Sequence, residues 1–344
     1  TPLYYGKDVN SEQLPVETQS DIDRELGRVL WNELTHVVIL TQQMRVNDKM
    51  YKGMLDRISE GKTTDQDYKI LQSRIIENGN IDLNSNTFKG SPMIVPGNKI
   101  RYILNELHIE EQAHKEKEQI VQWSSIDSCQ KIKLTESKVK QLADLPYTRT
   151  GGLPGKINLI KNMPVMLTRN TAVELGLTNG IIGKVDRIIV EPELGQSDNK
   201  KRKLKTLPLC VIVQFDNIKF PKLKYLTENQ VPIYPMKTTF KHKFPGTKTS
   251  YTITREQVPL EPAFAYTAHK SQGKTLSSVI VDLMPADKTP PNNSFAYVPL
   301  SRVQKLEHLA ILRPFPIDVL QKEKCNDHKA QDILFSNMKK MTEV

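Results

Sequence analysis

Apolar residues recur along this chain in short blocks whose period changes twice. Between residues 20 and 90, Val37-Val38-Ile39-Leu40 predicts a short strand, and Met50, Met54, Leu55 and Ile58 then recur at helical spacing. Gly61 stands where a left-handed C-terminal cap belongs. Thr64 and Asp67 have the spacing of a capping box, with aspartate in place of glutamate, and predict a second helix through Ile75. Met93-Ile94-Val95 predicts another strand. Asn98 is placed to cap a helix that carries Ile100, Ile103, Leu104 and Leu107 on one face and a solvated, charged extension from Glu110 to Glu118. This order of strand, turn and helix predicts an α/β domain built around a parallel sheet.

Around residue 150 the texture changes at Thr150-Gly-Gly-Leu-Pro-Gly155 and becomes short-period. Asn179-Gly180, between Leu175-Gly-Leu177 and Ile181-Ile-Gly-Lys-Val185, is a hairpin-turn signal, because both residues tolerate positive φ. Ile188-Ile-Val190 and Cys210 to Phe215 add strands, with the basic run Lys200-Lys-Arg-Lys203 read as a loop between them. Residues 155 to about 255 therefore predict a small β-barrel inserted into the α/β domain. From Pro259 the α/β texture returns, with a strand at Val279 to Asp282 and a helix from Phe295.

The chain has 344 residues, 38% of them apolar, which is ordinary globular composition. A net charge of +10 favours a polyanionic partner. Cys129, Cys210 and Cys325 lie too far apart for a disulfide framework or a Cys-x-x-Cys zinc site, and no metal ligand set is expected. No apolar run approaches membrane-spanning length, and the N-terminus has no signal-type pattern, so the expectation is an intracellular protein with no membrane partner. The start at Thr1-Pro2-Leu3 implies further sequence upstream.

Candidate chemistry concentrates in Phe264-Ala-Tyr-Thr-Ala-His-Lys-Ser-Gln-Gly-Lys-Thr-Leu276. Gly273-Lys274-Thr275 is not a phosphate-cradling loop. Such a loop needs a glycine five residues before its Gly-Lys pair, where Ala268 stands, and it opens a long helix, whereas a strand starts four residues after Thr275. Asp282 is accordingly not a magnesium-binding acid. The chain's other Gly-Lys-Thr, Gly61-Lys62-Thr63, has Asp56 where that first glycine belongs.

Several stretches together resemble the petite-integration-frequency (Pif) type of superfamily-one DNA helicases, including those of Helitron-like transposons. They are Leu40-Thr-Gln-Gln-Met-Arg45 and Arg57-Ile-Ser-Glu-Gly61, then Ile94-Val-Pro-Gly-Asn98 and Trp123-Ser-Ser-Ile-Asp127. Met163-Pro-Val-Met-Leu167 and Leu177 to Val185 follow, then Ala268-His-Lys-Ser-Gln-Gly273 and Val298-Pro-Leu-Ser-Arg302. The resemblance implies a RecA-like P-loop NTPase fold. Residues 1–90 would be the tail of a first RecA-like domain whose nucleotide-holding motifs lie upstream. Residues 91–150 and 256–344 would be the second, and 151–255 an inserted barrel like a Src-homology-three domain.

The same resemblance implies an ATP-dependent helicase moving 5′-to-3′ on single-stranded DNA, acting at forks or duplex junctions as a monomer, in the nucleus or mitochondria if eukaryotic. ATP and Mg2+ would be held mainly by the upstream domain, so this chain alone is expected to be inactive. Arg302 and Arg45 would be the arginines reaching the γ-phosphate, because a planar, permanently charged fork suits phosphoryl oxygens. Gln272 and Gly273 would face the nucleotide, and Thr267, His269, Lys270, Ser271 and Asn98 would line the DNA strand. The competing reading is a catalytically inactive nucleic-acid-binding fragment of a transposon-derived helicase.

Overall fold

The computed structural model describes residues 19–38, 44–79, 81–191, 195–197, 200–216, 218, 222–285, 294–322 and 326–342. The chain forms two compact units, Thr1–Phe88 with Gln272–Val344, and Lys89–Ser271. None of the described helices is long and apolar enough to cross a membrane.

The first unit opens with helix α1 (Gln19–Asn32). Val37 and Val38 lie outside any strand, and Ile39 and Leu40, the other half of the strand expected there, lie outside the described residues. Helix α2 (Lys49–Glu60) starts where the Asp48 carboxylate accepts from the backbone N–H groups of Met50 and Tyr51, and it stops at Gly61 with φ 72°. It buries Tyr51, Met54, Leu55 and Ile58 while Met50 stays exposed, so the buried stripe sits one residue from its expected start. Thr64 and Asp67 form the reciprocal capping box of α3 (Asp65–Gln72).

Helix α3 ends three residues before Ile75. The Arg74 carbonyl accepts from the Ile311 N–H at 2.8 Å, and Ile75 bridges Ile311 in parallel, so sheet pairing takes over from the helical ladder.

The second unit begins with β1 (Met93–Val95) and α4 (Asn98–Glu116). Gly97 is the cap of α4 and contributes no side-chain bond; Asn98 is its first helical residue, which corrects the expected capping role. The buried face of α4 is Asn105, Ile109 and Ala113, while Ile103 and Leu107 are 48% and 56% exposed. Polar Asn105 is buried because its amide donates to the Ala265 carbonyl and accepts from the Ala265 N–H, both at 2.9 Å. A period count weighted by hydrophobicity therefore picks the wrong face.

Strands β2 (Ile120–Ser124) and β3 (Ile126–Ser128), helix α5 (Glu136–Ala143) and strands β4 (Lys156–Leu159), β5 (Pro164–Leu167) and β6 (Ile182–Ile189) follow. Then come β7 (Gly195–Ser197), β8 (Lys201–Leu204), β9 (Cys210–Gln214), β10 (Gln230–Ile233), β11 (Met236–His242), β12 (Tyr251–Gln257) and β13 (Leu260–Pro262). They form an antiparallel sheet of order β10-β9-β6-β5-β13, a three-stranded sheet β11-β12-β3, and a sheet of order β4-β2-β8-β7.

Two sequence expectations change here. Asn179-Gly180 does make a tight turn, with Gly180 at φ 96°, but β6 pairs with β5 rather than with 175–177. The basic run at 200–203 is no loop: Lys201 to Lys203 lie in β8, paired in parallel with β2. Trp123, Leu159, Val165, Val213, Phe215 and Leu260 share one core, and the Trp123 indole donates to the Gln257 side chain at 2.7 Å.

The unit closes with β14 (Ala265–Thr267), parallel to β1, and the single-turn helix α6 (Ala268–Ser271). The chain then returns to the first unit through β15 (Val279–Val281), α7 (Ser294–Leu300), β16 (Leu309–Ile311) and α8 (Asn326–Thr342). β15 and β16 are parallel, with α7 between them in sequence: the crossover that a parallel α/β layer requires.

Candidate functional site

In the first unit, the residues around Ser301 come together from three places in the sequence. The Arg45 Nε donates to the Thr275 hydroxyl at 3.0 Å, and its Nη1 donates to the Ser301 carbonyl at 3.2 Å. Arg302 is buried; its Nε donates to the Val298 carbonyl at 2.8 Å and its Nη2 to the Ser301 hydroxyl at 2.6 Å. Burial, with the neighbouring Arg45 charge second, lowers the Arg302 pKa, and Tyr297 opposes the shift.

Two hydrogen bonds tie the backbone beneath these arginines to the rest of the unit. Leu276 N–H donates to the Arg302 carbonyl at 2.8 Å, and the buried Tyr51 hydroxyl donates to the Leu300 carbonyl at 2.6 Å. Burial pushes the Tyr51 phenol far above its ordinary range, so it remains a donor. Two like charges held this close gain from an anion that meets both. Gln272 and Gly273 lie exposed in the turn leading to Thr275, with Gly273 at φ 79°.

Asp282, at the end of β15, accepts both nitrogens of the Arg313 fork at 3.0 and 2.8 Å and is buried. Here it serves as an ion-pair partner.

In the second unit the candidate DNA residues gather at the carboxyl ends of β1 and β14, the edge at which open parallel sheets take ligands. Val95 pairs with Thr267; β14 runs directly into α6, and β1 reaches α4 after Pro96 and Gly97. Asn98 and His269 are exposed and Thr267 is half-buried. Ser271 is buried, and its hydroxyl donates to the Ala268 carbonyl at 2.7 Å, which closes the α6 turn.

Lys270 is held from two sides. Its ammonium donates to the Asn179 side chain at 2.6 Å and sits 5.6 Å from the Tyr147 ring centroid. The Arg101 guanidinium lies 5.0 Å from that same ring centroid and pairs with buried Glu261. Burial lowers the Lys270 pKa, Glu261 opposes the shift and Arg101 adds to it.

Sequence reasoning missed Tyr147, Asn179, Arg101 and Glu261 as supports of Lys270. They come from a short 3-10 turn, a tight turn, α4 and β13, and only the Asn-Gly signal at 179 marked any of them.

No protein-family model matches the chain. Over 310 residues it is 25% identical to the ATP-dependent DNA helicase PIF1 of Xenopus laevis, covering 87% of this chain and 39% of that protein. Over 122 residues it is 35% identical to the ATP-dependent DNA helicase PIF1 of Candida albicans, covering 34% of this chain and 12% of that protein. The chain is a homologue of PIF1-type DNA helicases.

Its fold matches the Pif1 helicase from Bacteroides crystallised with ADP-AlF3 and single-stranded DNA, with a TM-score of 0.60 and 18% identity over 94% of this chain and 64% of that one. The parallel α/β layers thus match the fold of that Pif1 helicase. The chain spans less than two thirds of the length of each of these Pif1-type proteins.

Proposed function

We propose that this chain supplies the arginine-bearing, DNA-gripping part of an ATP-dependent DNA helicase that moves 5′-to-3′ along single-stranded DNA. The observation that carries the reading is the meeting of Arg45 and Arg302 at Ser301. Paired guanidinium groups on a hydrogen-bonded backbone suit the charge spread over the γ-phosphoryl oxygens during transfer. Gln272 and Gly273 would face the nucleotide from the adjoining turn. No group of three histidine, cysteine or acidic residues able to hold a metal occurs among the described residues.

In the second unit, Asn98, Thr267, His269 and Lys270 would contact the phosphates of the single strand, and Ser271 would shape the turn that presents them. The relatives named ATP-dependent DNA helicase, and the Bacteroides neighbour solved with ADP-AlF3 and single-stranded DNA, support the same reading. On this reading, 1–90 belongs to one RecA-like domain, 91–150 with 256–344 to the second, and 151–255 to an inserted Src-homology-three-like barrel.

The chain contains no phosphate loop of its own, so it is expected to bind oligothymidylate without hydrolysing ATP. Fluorescence anisotropy and a coupled ATPase assay on the purified chain test both halves. Failure to bind the single strand overturns the grip, and turnover that follows the chain through purification overturns the division of labour. Unwinding by a P-loop-containing form separates a motor from an inactive binding fragment.

A further inference from the structure

The three-stranded sheet β11-β12-β3 presents an outer face that the functions above leave unused. Its inner face is covered: Phe240 and Ile253 pack with Phe244 and Leu142 of α5 in a separate small core, and Arg255, fully buried, pairs with Asp127. Alternation along a strand sends the intervening residues outward. Lys237, Thr239 and Lys241 are exposed along β11, and Lys243 is exposed just past its end.

Register aligns Thr239 with Thr254 and Thr254 with Ser128, giving a row of hydroxyl groups across all three strands. The one acidic residue on the described strands of this face, Glu256, is paired with Lys237 at 3.6 Å. Residues two apart on a strand advance about 6.8 Å, so the lysines from 237 to 243 cover about 20 Å.

We propose that this outer face binds the sugar-phosphate backbone of duplex DNA. Ammonium and hydroxyl donors contact phosphate oxygens without reading bases. Single-strand platforms use aromatic rings for stacking, and the β11, β12 and β3 positions on this face carry none, so the rod of a duplex is the polyanion the surface fits. A duplex carries one charge per about 1.7 Å of axis, so about 20 Å of lysine-bearing face suffices for three phosphate contacts. The choice of DNA as the polyanion rests on the helicase reading, and the face is built from residues apart from the proposed single-strand grip.

The test is anisotropy of the full chain with a fluorescent duplex of about 20 base pairs, titrated from about 50 to about 200 mM salt. Replacing Lys237, Lys241 and Lys243 together by glutamine is expected to remove about 2.7 from the slope of log K against log salt, a loss of about 40-fold in salt sensitivity over that range. Single-strand affinity should be unchanged.

Thr239→Lys adds a charge between two of these lysines and should tighten duplex binding and steepen the slope, a gain that misfolding cannot mimic. An unchanged duplex slope in the triple variant, or equal losses for duplex and single strand, overturns the proposal. A chain that binds duplex through these lysines but fails to bind oligothymidylate defeats the single-strand grip alone and leaves this inference standing.

Discussion

Arg45 and Arg302 meet at one residue, Arg45 donating to the Ser301 carbonyl at 3.2 Å and Arg302 to the Ser301 hydroxyl at 2.6 Å. The geometry couples two arginines that the sequence places almost at opposite ends of the chain. Substitutions at the pair should therefore be non-additive, as for residues sharing a partner. In a form that hydrolyses ATP, a double-mutant cycle of Arg45→Ala and Arg302→Ala is expected to give a coupling of about 0.5–3 kcal/mol in turnover. Strict additivity would dissociate the two.

Arg302→Ala alone should lower turnover by about 10³-fold, the scale at which an arginine stabilises phosphoryl transfer. Single-strand affinity should change little, because no proposed DNA residue lies in its unit. Near-normal turnover in steady-state assays would remove Arg302 from the mechanism.

Asp67 links acid stability to a local device. The Arg57 fork, at 2.8 and 2.6 Å, holds its carboxylate down to about 2, opposed by burial and helped by the Thr64 cap. A depressed carboxylate contributes stability that is present above its unfolded value of about 3.8 and is lost as pH falls toward 2. Arg57 is partly exposed, so the contribution is discounted to about 1–2 kcal/mol. Asp67→Asn should lose that amount at neutral pH and show a shallower decline in acid, as measured by urea melts from about pH 7 to about pH 2.

Lys270 should give single-strand binding an alkaline limit. Burial sets its pKa below the ordinary lysine value, so affinity should fall as pH rises through that lowered value. Glu261 favours the charged form, and Glu261→Gln should bring the fall to lower pH. For folding the sign is the reverse. The native state favours neutral Lys270, so its stability contribution rises between the lowered value and the ordinary one. Lys270→Arg, charged throughout, should abolish the fall in anisotropy titrations, and an identical fall in that variant would place the titration elsewhere.

Gly155 faces a backbone that cannot yield. A Cβ there would lie 2.3 Å from the Ala143 carbonyl oxygen and 2.5 Å from its Cα. The Gly155 carbonyl also accepts from the Ser125 N–H at 2.8 Å, which prevents the segment from drifting away. Gly155→Ala should cost about 1–3 kcal/mol, the range of overpacking, and a thermal melt superimposable on wild type would contradict the close approach.

The sequence by itself determined the elements whose cause is local. Asp48 and Gly61 bound α2, Thr64 and Asp67 cap α3, and the apolar runs at 93–95, 210–214 and 279–281 are strands because neighbouring residues carry the whole signal. It also determined that Gly273-Lys274-Thr275 lacks the glycine spacing of a phosphate loop, and the order of motifs that marks the kinship with Pif1-type helicases.

Only the tertiary structure decided that Asn105 rather than Leu107 faces inward, because the partner that satisfies its amide is the backbone of Ala265. It also turned Lys201 to Lys203 into a strand, by supplying β2 as a pairing edge. The meeting of Arg45 with Arg302, and of Lys270 with Tyr147 and Asn179, has the same origin. Hydrogen bonds and ion pairs between distant residues leave no period in the sequence, since each depends on the path of all the chain between.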